Sequence, residues 1–250
     1  WHPYTRINEF EQQPFPIIVR GAGARLFGAD GAAYLDGISS WWCACLGHSQ
    51  PRIVEAIRRQ AELLQHSILG GMSHPGAIQL ADRLLDIAPR GLSRVYFAGD
   101  GASAVEAAIR IAVQSFHNQG RPEKRNLVAL TDAYHGDTLG AVGVGYLEAF
   151  HAPIRHLLHQ AAQAPSPHCF ACAARNACDL RCFEGMRRII ERNASTTAAV
   201  IVEPRLQGSA GMRLYPAAYL DELRALCSRH DVLLIADEIA TGFGRTGRLF

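Results

Sequence analysis

Val232-Leu233-Leu234-Ile235-Ala236-Asp237-Glu238 is an apolar run closed by two carboxylates. Five apolar residues in succession, with no polar alternation, predict a strand buried on both faces. A charge standing directly at the end of such a strand needs a partner, because unpaired buried charge is costly. Two partners suit it: a cationic ring nitrogen of a ligand, or a structural arginine. Immediately downstream, Gly242-Phe243-Gly244-Arg245-Thr246-Gly247 predicts a loop pliable enough to wrap a ligand. Upstream the pattern repeats. A helix is expected around Tyr219 to Cys227, strands at Ala198–Val202, Leu127–Leu130 and Val95–Phe97, and a helix from the Gly99-Asp100-Gly101 turn through Ile109 to Phe116. Apolar strands alternating with amphipathic helices define the α/β class: a mostly parallel sheet with helices on both faces. Ligands of such sheets bind beyond the carboxyl ends of the strands.

Those strand ends hold the candidate chemistry. Gly99-Asp100-Gly101-Ala102-Ser103 opens a helix, where free N–H groups can bind an anion; a plain strand-to-helix turn is the equal alternative. Tyr134-His135-Gly136-Asp137 offers an aromatic face for a planar ring, or simply a buried tyrosine beside a hydrogen-bonded histidine. Glu203-Pro204 with Gln207-Gly208 offers a carboxylate and a carboxamide, or a turn shaped by Pro and Gly. Any one of these, like Asp237-Glu238, is open to a structural reading. Their recurrence at successive strand ends favours a site.

The first part of the chain reads differently. Residues 1–48 are glycine-punctuated segments, read as the hairpins of a small α+β domain, with residues 49–250 forming the large domain. From Pro51 the period becomes helical (Ile53, Ile57, Ala61, Leu64), and a second helix spans Pro75 to Ile87 before Pro89.

Bulk properties exclude several classes. The 250 residues are 48% apolar and 19% charged, with net charge +2 and no basic cluster of the kind that binds nucleic acid. No apolar run approaches the roughly 20 residues of a membrane span and no signal peptide opens the chain, so a cytoplasmic protein is expected. Seven cysteines, an odd number, suit reduced thiols better than a disulfide framework. Cys169, Cys172, Cys178 and Cys182 lie close together beside His168. That spacing allows zinc, but the part after Cys172 matches no common finger, and a surface insertion with reduced thiols is the plainer reading; no metal is assigned on sequence alone. The single lysine, Lys124, sits among Arg121, Pro122, Glu123 and Arg125 and reads as a solvated charge.

Asp237-Glu238-Ile239-Ala240-Thr241-Gly242-Phe243-Gly244-Arg245-Thr246-Gly247 resembles the signature of the class III aminotransferases, which are fold-type I pyridoxal-phosphate enzymes. Trp1-His2-Pro3-Tyr4-Thr5, Asp36-Gly37-Ile38-Ser39-Ser40-Trp41-Trp42, Gly70-Gly71-Met72-Ser73-His74, Tyr134-His135-Gly136-Asp137-Thr138 and Glu203-Pro204-Arg205-Leu206-Gln207-Gly208 extend the likeness over the whole chain. They point to the biotin-pathway branch of the family, in which S-adenosylmethionine gives its amino group to 8-amino-7-oxononanoate. The resemblance implies a pyridoxal 5'-phosphate cofactor and a homodimer. It assigns Asp237 to the pyridinium nitrogen and Tyr134 to the ring face, with His135 and Ile239 beside the cofactor. Gly101, Ala102 and Ser103 fall at its phosphate, Glu203 and Gln207 near its ring oxygen, and Tyr4, Trp41 and Trp42 in the pocket for the long apolar substrate. Two departures stand out. Ala102 occupies a position usually held by a serine or threonine hydroxyl, with Ser103 one place later. The family's Schiff-base lysine lies beyond Gly247, so residues 1–250 alone are expected to be inactive. Alternatives are an ω-amino acid, ornithine or 4-aminobutyrate aminotransferase, against which the Trp41-Trp42 pair counts, and a non-catalytic relative, which the missing lysine favours.

Overall fold

The computed structural model describes residues 1–250 except Trp1, Tyr4, Pro14, Arg175 and Asn176. The chain divides into two compact units, residues 1–79 and 80–250. The expected domain division after residue 48 concerns the whole protein and stays a proposal.

The first unit begins with a short helix α1 (Ile7–Phe10) and a three-stranded antiparallel sheet of β1 (Ile18–Ala22), β2 (Arg25–Gly28) and β3 (Ala33–Leu35), the predicted hairpins. Next comes α2 (Ser39–Trp42), a short turn in which all four residues have positive φ, from +47° to +69°. Left-handed backbone costs non-glycine residues about 1–2 kcal/mol each. Asp36 offsets that cost: its carboxylate accepts from the Ser40 N–H at 2.8 Å and the Ser40 hydroxyl at 2.7 Å, and meets His48 Nε2 at 2.7 Å. The Ser40 N–H, followed by His48 and the Ser40 hydroxyl, lowers the Asp36 pKa to about 2. The Asp-Gly-Ile-Ser-Ser-Trp-Trp motif is thus a carboxylate-braced turn that carries the two tryptophans. Helix α3 (Pro51–Leu63) starts on Pro51, capped by the Gln50 side chain, and α4 (Pro75–Ile87) crosses the boundary between the units.

The second unit holds the parallel sheet. Its strands are β4 (Asn126–Leu130), β5 (Ala162–Ala164), β6 (Thr197–Val202) and, after a small β7–β8 hairpin (Leu206–Gln207 and Arg213–Leu214), β9 (Leu233–Ala236). The order β5-β4-β6-β9 is parallel throughout, and β6 is buried along its whole length. The helices are α5 (Gly101–Asn118), α6 (Leu139–Val144), α7 (Glu148–His151), α8 (Glu184–Asn193) and α9 (Ala217–Arg229). Alternate residues of one strand face opposite helix layers, which explains why the sequence shows unbroken apolar runs. Val128, Leu130, Val200 and Val202 pack with Met186 and Ile190 of α8 and Tyr219 and Leu223 of α9. Ala129 and Ile201 face the other way, onto Val105 of α5 and Ala141 and Val144 of α6.

Three expectations fail. The apolar run before Asp237 is not buried on both faces in this chain: β9 ends the sheet order, pairing with β6 on one side, and Leu233 is 39% exposed. Val95–Phe97 is not a strand: its backbone carries no ladder pairing, Tyr96 is exposed, and an extended segment becomes a strand only through paired neighbours. Lys124 is not solvated. It is 2% exposed, its Nζ donates to the carbonyls of His230 (3.4 Å) and Asp231, and it lies 4.6 Å from the centre of the Phe116 ring. Burial pushes its pKa below the ordinary lysine value, with Asp231 pulling the other way. Lys124 precedes β4 and Asp231 precedes β9, so this cation ties down the amino ends of the parallel strands, opposite the candidate site. Replacing it with methionine leaves two carbonyls without their donor. We expect Lys124→Met to cost the whole protein about 1–3 kcal/mol. A thermal or denaturant unfolding curve unchanged from wild type overturns that role.

Candidate active site

Three strand ends converge. Asp237 follows β9, and its N–H still bonds the Val202 carbonyl of β6 at 2.8 Å, which fixes the residue at the sheet edge. Its carboxylate is buried, with Oδ2 2.7 Å from His135 Nδ1 and Oδ1 accepting from the Ile239 N–H at 3.1 Å. The partner within the chain is therefore a histidine rather than an arginine. His135 Nε2 is buried with no hydrogen-bond partner.

Glu203 follows β6. Its carboxylate accepts from the Tyr134 N–H at 3.2 Å and the Gly208 N–H at 2.9 Å, and its carbonyl takes the Tyr215 hydroxyl. Burial raises its pKa, opposed by those two N–H donors and by His135. The carboxylate thus binds the loop after β4 to the loop after β6. Gln207 donates from Nε2 to the Thr131 carbonyl at 3.1 Å, leaving a buried Oε1 without a partner.

Tyr134 is half-buried, and its hydroxyl donates to Asp137 Oδ2 at 2.8 Å. Asp137 Oδ1 in turn lies 3.8 Å from Nε2 of the buried His151. Glu106 of α5 accepts from the Thr138 hydroxyl and the Gly140 N–H at 2.7 and 2.9 Å, tying α5 to the segment that carries Tyr134. Asp137, Glu106 and His151 went unassigned from sequence, since nothing local marks a side chain whose partner is a loop brought up by tertiary contact.

The start of α5 completes the arrangement. Asp100 caps it, accepting from the Ser103 N–H and hydroxyl, each at 2.8 Å, which lowers the Asp100 pKa. An acidic residue just before Gly-Ala-Ser is an N-cap signature, so this contact was readable in the sequence. The Ser103 hydroxyl is turned to Asp100. Backbone approach is tight here: a Cβ on Gly136 would stand 2.6 Å from the Ala102 Cβ, and one on Gly101 would stand 2.8 Å from the Ile239 Cδ1. The helix start, the Tyr134 loop and the Asp237 turn therefore share one edge.

The sequence-derived site residues fall into two groups. Gly101, Ala102, Ser103, Tyr134, His135, Glu203, Gln207, Asp237 and Ile239 all lie in the second unit, linked by the contacts above. Trp41 and Trp42 belong to the first unit, and Trp41 is 71% exposed; Tyr4 lies outside the described residues. Among the described residues no helix is long and apolar enough to cross a membrane.

The Asp237 carboxylate, the start of α5 and the Tyr134 loop share one edge of the sheet, and the chain belongs to the aminotransferase class-III family, whose model matches residues 7–250. It is similar over its whole length to the adenosylmethionine-8-amino-7-oxononanoate aminotransferase of Geobacter sulfurreducens, 42% identical over 254 residues and 56% of that protein. The crystal structure of the Methanocaldococcus jannaschii enzyme of the same name matches with a TM-score of 0.94 at 40% identity, covering 100% of this chain and 55% of that one. An omega transaminase from Pseudomonas jessenii, solved in complex with PMP, matches with a TM-score of 0.92 at 28% identity, covering 100% and 56%. The fold is that of the fold-type I transaminases. The chain spans about half the length of the relatives it matches.

Proposed function

We propose that this chain is the cofactor-binding part of a pyridoxal-phosphate aminotransferase of biotin synthesis, which moves an amino group from S-adenosylmethionine to 8-amino-7-oxononanoate and yields 7,8-diaminononanoate. The observation that carries the reading is Asp237, a buried carboxylate at a strand end, steadied by His135 and Ile239. The residues fit the cofactor. Asp237 offers the anion that keeps a pyridinium nitrogen protonated, and the start of α5 with Gly101 and Ala102 offers N–H groups and a favourable dipole to a phosphate. Tyr134, held by Asp137, offers its ring to the cofactor face. Gln207 and the buried His135 Nε2 keep unspent hydrogen-bonding capacity beside it. When bound, pyridoxal phosphate supplies the electron sink for the carbon whose amino group is moved. The protein's work is to hold the ring charge, fix its plane and keep water from it.

Whole-chain likeness to enzymes of this name supports the substrate pair over other class III donors and acceptors. Trp41 and Trp42, on the Asp36-braced turn, suit the wall of a pocket for a long alkyl chain. Exposed Ile53, Val54 and Ile57 on α3 fit a homodimer, and we place the whole protein in the cytoplasm. The test is direct. The whole protein, given 8-amino-7-oxononanoate, should form 7,8-diaminononanoate with S-adenosylmethionine as donor. Turnover of ornithine or 4-aminobutyrate with no diamine product overturns the substrate assignment while leaving the cofactor site intact.

A further inference from the structure

Four of the seven cysteines fall in the connection between β5 and α8, and all four line one cavity. Cys169 opens a single 3-10 turn, and the Cys172 N–H returns to the Cys169 carbonyl at 3.2 Å, so the first pair closes a tight knuckle. The second pair brackets Leu180, whose φ of +56° reverses the chain before a further 3-10 turn at Arg181–Phe183. These reversals bring Cys169, Cys172, Cys178 and Cys182 around a space of about 330 Å³, with His168 at its margin. The opposite wall comes from Arg205, Leu214 and Tyr215 on the β7–β8 side. All four are free thiols; Cys178 is exposed and the other three half-buried. Burial, and then the neighbouring thiols, push the pKa values of Cys169 and Cys182 up. A cation among them reverses that repulsion.

We propose that Cys169, Cys172, Cys178 and Cys182 form a structural zinc site that closes the β5–α8 loop against the β7–β8 hairpin. Four thiolates are the tetrahedral donor set that zinc prefers, and a site with no open position braces a loop rather than catalysing. Each thiol gives its proton to solvent as it ligates, so binding strengthens as pH rises. Among the described residues no three His, Cys, Asp or Glu side chains already stand where they could hold a metal ion. Cys178, the exposed thiol of the four, must therefore turn inward for the sulfurs to stand about 2.3 Å from the ion. Closure also buttresses the candidate active site from behind, since Tyr215 in the cavity wall holds the carbonyl of Glu203.

The experiment uses the whole, tag-free protein, loaded with zinc and dialysed against a weak chelator. We expect about one zinc per chain, and a cobalt-substituted form with thiolate charge-transfer bands and the intense visible bands of a tetrahedral site. C172S/C178S should lose the metal while keeping the wild-type circular dichroism. If that variant does not fold, titration of the wild type with a mercurial should release zinc in step with the blocking of four thiols. Three results each overturn the proposal: wild-type protein that retains no zinc, zinc content unchanged in C172S/C178S, or cysteine pairs found as disulfides in protein that takes up no metal.

Discussion

Asp237→Ala in the whole protein should abolish most transamination, with turnover falling roughly a hundred- to a thousandfold, the scale on which enzymes lose rate when a preorganised charge is removed. The carboxylate stands where β9 ends, out of water, and its two oxygens are aimed by His135 and the Ile239 N–H. Without it the carboxylate proposed to face a positive ring nitrogen is gone, and the ring loses the proton that makes it an electron sink. His135 also loses its partner and stands buried with both nitrogens unpaired. Asp237→Asn separates charge from shape: it keeps the volume and an acceptor oxygen, so the fold should hold while the rate still collapses. The absorption of bound pyridoxal phosphate reads the ring's protonation independently of turnover. Undiminished product formation by Asp237→Ala, with cofactor retained, removes the foundation of the functional reading.

That carboxylate was visible in the sequence for a physical reason. A strand lying between helix layers runs apolar, so the first charge after it marks where the sheet stops and a cleft can begin; β9 ends the sheet order and leaves Leu233 39% exposed, yet its apolar run still stops at that edge. The same logic located Glu203 after β6 and Tyr134-His135 after β4. What stayed hidden was pairing between distant elements. Asp237 looked like a group awaiting an arginine or a ligand, because His135 lies 102 residues earlier. Lys124 departs from its sequence reading for the same cause. Its neighbours Arg121, Glu123 and Arg125 are polar, but its surroundings are set by the backbone ahead of β9, more than a hundred residues away. Local composition reports the company a residue keeps along the chain, and burial is decided across it. Val95–Phe97 shows the converse: good strand residues that carry no ladder. Ser103 shows that a hydroxyl at the right position can already be committed, here to the Asp100 cap.

Gly136→Ala should weaken pyridoxal-phosphate binding by the whole protein tenfold or more, though it adds a single methyl. Gly136 has φ of +117°, a backbone region that L side chains rarely adopt, and the new Cβ would stand 2.6 Å from the Ala102 Cβ and 2.9 Å from the Ala102 Cα. Neither neighbour is the flexible end of a long side chain, so relief requires moving the start of α5 or the Tyr134 loop. Overpacking of this kind costs about 1–3 kcal/mol, with backbone strain adding about as much again. Both elements that would move belong to the proposed site, in which the Ala102 N–H would meet the phosphate and the Tyr134 ring the cofactor face. The strain therefore falls on cofactor geometry as well as on stability. Gly120→Ala serves as the control. Its φ of +76° brings comparable backbone strain, but its Cβ would meet nothing within 4 Å, and it follows α5 at the opposite end of that helix. Gly120→Ala should lower stability and leave cofactor affinity near wild type, whereas Gly136→Ala should lower both. Equal cofactor affinity in the two variants would show that the close approach of Gly136 to Ala102 does not shape the phosphate cradle.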